Sequence, residues 1–222
     1  MRTTLQKTRR WGDGTAAVVR RLIHSASPLS GAGIARSVGI TQPRAVQVLS
    51  MLTDLDAVES TPDGFRGDRD RLFELYLERT RPRVSAVSHW YSTRPLPDQA
   101  TAITRLPRPK DLRIGLSADL GPDMMVPWRH PTVAIVYSTA DLELSAAGFV
   151  TAEGETDATV VVRTVADRRL FGPSDLWPST IDGIPLVDPV QQWWDLHDLG
   201  GSDRVEAADH LRQAILARRL PR

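Results

Sequence analysis

The sequence of residues 30–59, SGAGIARSVGITQPRAVQVLSMLTDLDAVE, decides the fold of the N-terminal region. It contains two segments with apolar residues at helical spacing, separated by Val38-Gly39-Ile40-Thr41. Glycine tolerates the left-handed backbone of a sharp turn, and threonine is a favourable residue immediately before a helix. The pattern therefore predicts a short helix over residues 31–37, a turn at Gly39, and a further helix that begins after Thr41.

The flanking residues extend this pair of helices into a larger motif. Apolar positions at helical spacing predict an earlier helix over residues 10–25. After the pair, two short strand-like segments flank Thr61-Pro62-Asp63-Gly64, a turn sequence in which proline fixes φ and glycine accepts a positive φ. Another helix is predicted over residues 70–79, before an Arg-Pro-Arg linker at 81–83. Three helices followed by a hairpin predict a winged helix-turn-helix domain over residues 1–80.

The third helix carries different side chains on its two sides. Its aliphatic residues share one face and are expected to be buried: Ala45, Val48, Leu49 and Leu52. On the opposite side we expect Arg44 to contact guanine, and Gln42 and Gln47 to contact adenine, because these side chains match those base edges. Arg66 in the hairpin and Arg69 just after it are expected to bind phosphates.

The distribution of charge favours a nucleic-acid partner for this domain. Residues 1–53 contain eight basic residues and one acid, a net charge of +7, whereas the whole chain carries only +1, so the remainder carries −6. A basic region of this kind attracts a polyanion such as double-stranded DNA. The alternative is that the helices form a protein-interaction module, since winged helices also occur as dimerisation domains.

Residues 84–222 are predicted to form a separate, mixed α/β domain. Segments rich in β-branched residues predict strands over 84–87, 132–137 and 159–164, and a shorter one at 186–187. Asp188-Pro189 opens a predicted helix that ends at Gly200-Gly201, and Asp203 with Glu206 predicts a capping box for a final helix ending near Leu220. The expected fold class is α+β, with an N-terminal winged helix-turn-helix followed by a mixed α/β domain.

The sequence offers no catalytic motif, and we predict no catalytic residue, cofactor or metal site. There is no cysteine, the five histidines lack zinc-binding spacing, and no nucleophile elbow, Walker A or dinucleotide-binding motif is present. Asp141-Leu142-Glu143 is similar to the paired acids of nucleotidyltransferases, but without a Gly-Ser segment at a suitable distance we interpret it as a loop. No apolar run approaches the roughly 20 residues of a membrane span, and the N-terminus lacks a secretory signal, so we expect a cytoplasmic protein.

The C-terminal region resembles the AbiEi family, the antitoxins of type IV toxin–antitoxin (abortive infection) systems. The residues that carry the resemblance are 186–191 (LVDPVQ), Leu196, 199–201 (LGG) and 206–208 (EAA), together with 113–117 (RIGLS) and 127–132 (PWRHPT) from the middle region. The resemblance implies an N-terminal domain that binds operator DNA and represses its own operon. It also implies a C-terminal domain that antagonises a nucleotidyltransferase-like toxin, without a stable complex being required. Function carries over only to Gln42, Arg44, Gln47 and Arg66.

Two other functions are compatible with the sequence. One is a one-component transcriptional regulator whose C-terminal domain binds a small-molecule effector, in a pocket near His89, Trp128 or His130. The other is an enzyme with a winged-helix accessory domain, whose activity would depend on Asp141.

Overall fold

The computed structural model describes residues 10–128, 130–172 and 176–221, and the chain divides into two compact units, Met1–Pro82 and Arg83–Arg222. Helices and a mixed sheet together confirm the expected α+β class. Within the described residues, none of the helices combines the length and the apolar character that crossing a membrane requires.

The first unit contains the expected helices and hairpin in the expected order. Its elements are α1 (Asp13–Ile23), α2 (Gly31–Val38), α3 (Gln42–Thr53), β1 (Val58–Thr61), β2 (Gly64–Gly67) and α4 (Arg69–Arg79). Side chains from all four helices are fully or almost fully buried and form the core, among them Val19, Ile34, Leu49 and Phe73. The apolar spacing seen in the sequence is therefore the spacing of the packed helix faces.

The hairpin is fixed to the segment that precedes α2. Strands β1 and β2 are antiparallel, with Thr61 opposite Gly64. The backbone groups of Phe65 and Leu29 exchange two N–H···O hydrogen bonds of 2.9 Å. Gly64 has φ +128°, and a Cβ there would lie 2.6 Å from the carbonyl oxygen of Leu29. Glycine is required at this position both by the backbone angle and by the close approach of the neighbouring chain.

The second unit contains both strands and helices. Its elements are β3 (Val84–Tyr91), α5 (Leu96–Arg105), β4 (Ile114–Ala118), α6 (Leu120–Met125), β5 (Ala134–Ser138), β6 (Val150–Thr151), β7 (Val160–Val165), β8 (Thr180–Ile181), β9 (Ile184–Pro185), α7 (Pro189–Leu199) and α8 (Ser202–Leu216). Five strands form one sheet in the order β4-β5-β7-β3-β6, in which β5 and β7 are parallel and the other neighbours antiparallel. A separate two-stranded ladder joins β8 to β9. Helix α7 packs against β4 and α8.

Three details of this unit differ from the sequence predictions. The capping box at Asp203 and Glu206 is wrong, because α8 begins at Ser202 and its N-cap is Gly201, which has no side chain. Asp203 lies inside the first turn instead, where a negative charge favours the helix dipole. The helix ends at Leu216 rather than near Leu220. Residues 186–187 form isolated bridges to Leu116 and Phe171 rather than a regular strand.

Candidate nucleic-acid interface

Local backbone chemistry sets the geometry between α2 and α3. The Ser30 hydroxyl caps α2 by accepting a 3.0 Å hydrogen bond from the Gly33 N–H. At the other end of α2, Gly39 has the left-handed conformation (φ +68°, ψ +46°), and the Ile40 N–H donates to the Ala35 carbonyl at 3.0 Å. Thr41 occupies the N-cap position of α3 as expected, but its side chain forms no capping bond. The turn therefore depends on the glycine rather than on the threonine hydroxyl.

Helix α3 presents one buried and one exposed face. The expected aliphatic residues Ala45, Val48, Leu49 and Leu52 are at most 2 % exposed. The exposed residues are Gln42, Pro43, Arg44, Val46, Gln47, Ser50 and Thr53. All three side chains that the sequence predicts to contact bases thus lie on the outer side of the helix.

The Arg44 guanidinium is anchored within the first unit. Its Nη2 donates to the hydroxyl of Thr15 on α1 at 3.1 Å, and its Nη1 lies 3.4 Å from Oε1 of Gln47. These contacts restrict a long side chain that would otherwise sample many rotamers. A partner that binds Arg44 in this arrangement consequently loses less conformational entropy on binding.

Val46 is a surface residue that our sequence analysis did not include. Its side chain is 50 % exposed, one of the few large apolar side chains on the surface of the described residues. It lies four positions after Gln42 and four before Ser50, so the three residues share a stripe of the helix. That same helical spacing, applied to the outer face as well as to the inner one, would have identified it.

Arg66 is exposed, but its surroundings are acidic. It lies directly opposite Glu59 in the β1–β2 register. It also lines a surface cavity of about 520 Å³ together with Glu59, Asp56 and Asp68. Three carboxylates around one guanidinium make the local potential negative, which disfavours phosphate. The phosphate contact predicted for Arg66 therefore has to compete with these acids.

Two other arginines of the first unit are bound to the protein itself. Nε of Arg69 donates to the carbonyl of Ile23, the last residue of α1, at 2.6 Å. Such a bond satisfies a helix-terminal carbonyl and places a positive charge at the negative end of the dipole. Arg20 is only 3 % exposed, and its Nη1 donates to the Tyr76 hydroxyl at 3.1 Å. The number of basic residues in the sequence thus overstates the positive charge that this surface presents.

The second unit contains a buried polar network centred on Asp195 of α7. The carboxylate accepts hydrogen bonds from Ser117 (2.5 Å), Tyr137 (2.7 Å), Arg163 (3.1 Å) and Gln191 (3.4 Å). Burial raises the pKa of Asp195 to about 6, against the opposing effects of Arg163 and the hydrogen bonds. Ser117, Tyr137 and Asp195 are all fully buried. The network therefore joins α7 to strands β4, β5 and β7 in the interior of the second unit.

A second buried carboxylate, Asp119, joins the β4–α6 junction to α8. Its two oxygens accept a bidentate pair of bonds from Arg204, at 2.8 and 3.1 Å, and a further bond from the Thr132 hydroxyl at 2.9 Å. Burial acts to raise the pKa of Asp119, but the hydrogen bonds and charge of Arg204, together with Thr132, outweigh it and lower the pKa. The ion pair therefore holds α8 against the β4–α6 junction.

The paired acids Asp141 and Glu143 have different hydrogen-bond partners. Asp141 accepts a hydrogen bond from the Thr164 hydroxyl at 3.3 Å, whereas Glu143 accepts from the hydroxyl and N–H of Ser145. Among the described residues there is no group of three or more acids or histidines that could hold a metal ion. Asp141 thus contacts β7, whereas Glu143 contacts a residue two positions further along the chain.

The three alternative positions suggested for an effector pocket have different surroundings. The Trp128 ring stacks on His210, with ring centroids 3.7 Å apart, and the cavity that Trp128 lines measures only about 10 Å³. His89 is half-buried on β3, opposite Val161 of β7, and His130 is exposed. Neither histidine lines that cavity. The cavity that Trp128 lines is therefore about the size of a single water molecule.

Comparison of this chain with models of protein families, with curated proteins and with solved structures found no match.

Proposed function

We propose that this chain is a winged helix-turn-helix repressor that reads operator DNA with α3. The observation that carries the proposal is the two-sided character of that helix. Its aliphatic face is buried, while the outer face presents Gln42, Arg44 and Gln47 to solvent. In a helix-turn-helix protein the second helix of the pair enters the major groove, where these side chains match base edges.

Three exposed side chains of α3 have specific parts in this proposal, and Gln47 is a further candidate for pairing with adenine. Arg44, held by Thr15, donates two N–H groups to guanine, and Gln42 pairs with adenine. Val46 adds an apolar contact that the sequence analysis lacked, and a thymine methyl group is its natural partner in the major groove. The β1–β2 hairpin acts as the wing, with Arg66 as its cation.

We further propose that the protein is the antitoxin of a type IV toxin–antitoxin system and antagonises a nucleotidyltransferase-like toxin. This part rests on the resemblance of residues 113–132 and 186–208 to the AbiEi family. It assigns repression to the first unit and antagonism to the second. The two activities are therefore separable by mutation.

The DNA-binding proposal is tested by fluorescence anisotropy with the full chain. The probes are the DNA immediately upstream of its own gene and a scrambled duplex of equal composition, each at two salt concentrations. We expect selective binding that weakens as salt rises, because phosphate contacts release counterions. The double variant Gln42→Ala/Arg44→Ala should lose selectivity, whereas Arg71→Ala, which removes an exposed arginine from α4, should retain it. Equal binding to both duplexes by the unmodified protein would refute the proposal.

The antitoxin proposal is tested in cells that express the nucleotidyltransferase-like toxin encoded beside this gene, from an unrelated promoter. We expect co-expression of the full chain to restore growth. The variant Gln42→Ala/Arg44→Ala should still restore it, because the toxin is not under operator control in this assay. Failure of the full chain to protect would reject the antitoxin role and leave the DNA-binding proposal standing.

A further inference from the structure

A cleft of about 700 Å³ opens in the second unit, far larger than the cavity beside Trp128. Its walls are the segment that follows α5, the start of β4, Phe171 with Gly172, and the β8–β9 ladder. The volume is within the range of small-molecule sites, about 300–1,000 Å³. None of the networks around Asp195 and Asp119 contributes to it.

The cleft is lined by three cations: Arg108, Lys110 and Arg113. None of the described residues that line it carries a carboxylate. The side chains of Lys110 and Arg113 form no hydrogen bond or ion pair with any other described residue. By contrast, Arg163 and Arg204 of the same unit are each paired with a buried aspartate. Cations grouped without a counter-charge repel one another and create a positive potential, which an anionic ligand would neutralise.

Arg108 is held in position by the end of α5. Its Nη1 donates to the carbonyl oxygen of Thr104 at 2.7 Å and lies 3.4 Å from that of Leu106. Both bonds use the same nitrogen, so the planar guanidinium is oriented while its other N–H groups form no hydrogen bond to the described residues. A guanidinium in this state is suited to bidentate binding of phosphate oxygens. The hydroxyl of Thr104, also on the wall, is buried and has no hydrogen-bond partner among the described residues.

Besides the cations and the hydroxyl residues Thr104, Ser179 and Thr180, the lining includes apolar side chains and one aromatic ring. Phe171 is half-buried, and Leu112 and Pro185 line the same cleft. An inorganic anion gains nothing from contact with these apolar side chains. A planar, weakly polar ring gains from this contact, because it can stack on the phenyl group of Phe171.

We propose that this cleft binds a nucleotide, with Arg108, Lys110 and Arg113 on its phosphates and Phe171 against its base. The assignment rests on the second unit alone and is independent of DNA reading by α3. For a DNA-binding protein, a nucleotide bound at this site would provide a signal that reports the state of the cell.

The test is isothermal titration calorimetry on the full chain, with ATP, GTP, CTP and UTP as probes and with pyrophosphate and adenosine for comparison. We expect at least one nucleotide to bind, pyrophosphate to bind more weakly, and adenosine to bind weakest. The variant Lys110→Gln/Arg113→Gln should weaken nucleotide binding by about tenfold or more, because each cation supplies a charge-assisted contact. Arg105→Gln removes an exposed arginine from the end of α5, outside the cleft lining, and should leave binding within about twofold.

A second variant separates the two halves of the proposed site. Phe171→Ala should weaken nucleotide binding and leave pyrophosphate binding unchanged. Thermal unfolding of each variant verifies that the second unit is still folded. Absence of binding by every phosphorylated probe at millimolar concentration would overturn the proposal, and so would binding that the Lys110→Gln/Arg113→Gln variant retains in full. If that variant instead weakens binding of duplex DNA and no nucleotide binds, the cleft is a DNA contact and the nucleotide assignment is wrong.

Discussion

The buried carboxylate of Asp195 makes the second unit less stable as pH rises through the weakly acidic range. Burial raises its pKa from 3.8 to about 6 in the folded state, whereas the unfolded chain keeps the ordinary value. The folded protein therefore holds this proton more tightly, and the resulting stabilisation is fully present below pH 4. It is lost as pH rises through 6. Two pH units at about 1.4 kcal/mol each give a loss of about 3 kcal/mol.

The substitution Asp195→Asn isolates this effect, because asparagine resembles the neutral acid in shape and does not titrate. We would measure urea unfolding of the wild type and the variant between pH 4 and 7.5. Tryptophan fluorescence reports chiefly on the second unit, which contains five of the six tryptophans. The free energy of unfolding of the wild type, minus that of the variant, should fall by about 3 kcal/mol over this range. Titration of other groups largely cancels in the difference.

Asp198→Asn is the matched control. Asp198 contacts the same guanidinium, Arg163, at 3.4 Å, but its side chain is 37 % exposed, so solvent screens it. The difference between wild type and this variant should not show a decrease of comparable size. A difference for Asp195→Asn that is constant or increases with pH would mean that the attraction of Arg163 exceeds the desolvation cost, and would refute the reasoning.

Three further predictions concern single contacts. Arg44→Ala should weaken binding to the operator by about 1–3 kcal/mol and binding to scrambled DNA by less. Equal losses for the two duplexes in the anisotropy assay would mean that Arg44 contacts only a phosphate. Gly64→Ala should lower the free energy of unfolding by about 2 kcal/mol or more, since a residue with φ +128° would place a methyl group 2.6 Å from the Leu29 carbonyl; an unchanged melting temperature would contradict this. Arg204→Gln should cost about 3 kcal/mol in urea unfolding at pH 7, because it leaves the buried Asp119 without its cation. That cost should shrink at acidic pH, where Asp119 becomes protonated and no longer requires its cation; because Arg204 lowers the pKa of Asp119, the wild type loses this contribution only as pH falls below the ordinary range of an aspartate. A cost independent of pH would argue against the ion pair.

The N-terminal elements were predictable because their signals are local. Gly39 ends α2 through its own backbone preference, and the turn at Pro62 and Asp63 follows from residues within it. Each signal acts within a few residues, so the helix and strand bounds inferred from the sequence lie close to those observed. The capping box at Asp203 failed for a related reason. The pattern was present, but the N-cap is Gly201 and the helix starts at Ser202, two residues before the first helical position that the capping box predicts.

Strand β4 could not be predicted, because its formation depends on the surrounding structure. Its sequence, Ile-Gly-Leu-Ser-Ala, contains a glycine and small residues that have low strand propensity. Every one of its residues is buried. A Cβ at Gly115 would lie 2.8 Å from a methyl group of Val187, so the residue that weakens the strand locally is the one that the packing requires. Only the long-range contact explains the choice of residue.

The same distinction between local and long-range signals applies to the proposed binding surfaces. In the whole chain 26 of the 28 basic residues are arginine, so residue type alone does not tell which cations bind a ligand. The sequence correctly placed Gln42, Arg44 and Gln47 on the outer side of α3, because helical periodicity is a local property. It could not indicate that Arg69 would bind the Ile23 carbonyl, 46 residues away.

The cations of the second unit differ in whether a buried carboxylate is paired with them. Arg163 and Arg204 form ion pairs with buried carboxylates, so their substitution should lower the free energy of unfolding. Lys110 and Arg113 line a cleft in which none of the described lining residues is acidic, and their loss should cost the fold little. A cation whose removal weakens ligand binding while the melting temperature stays constant therefore belongs to a binding surface. The paired variants proposed for α3 and for the cleft both rest on that criterion.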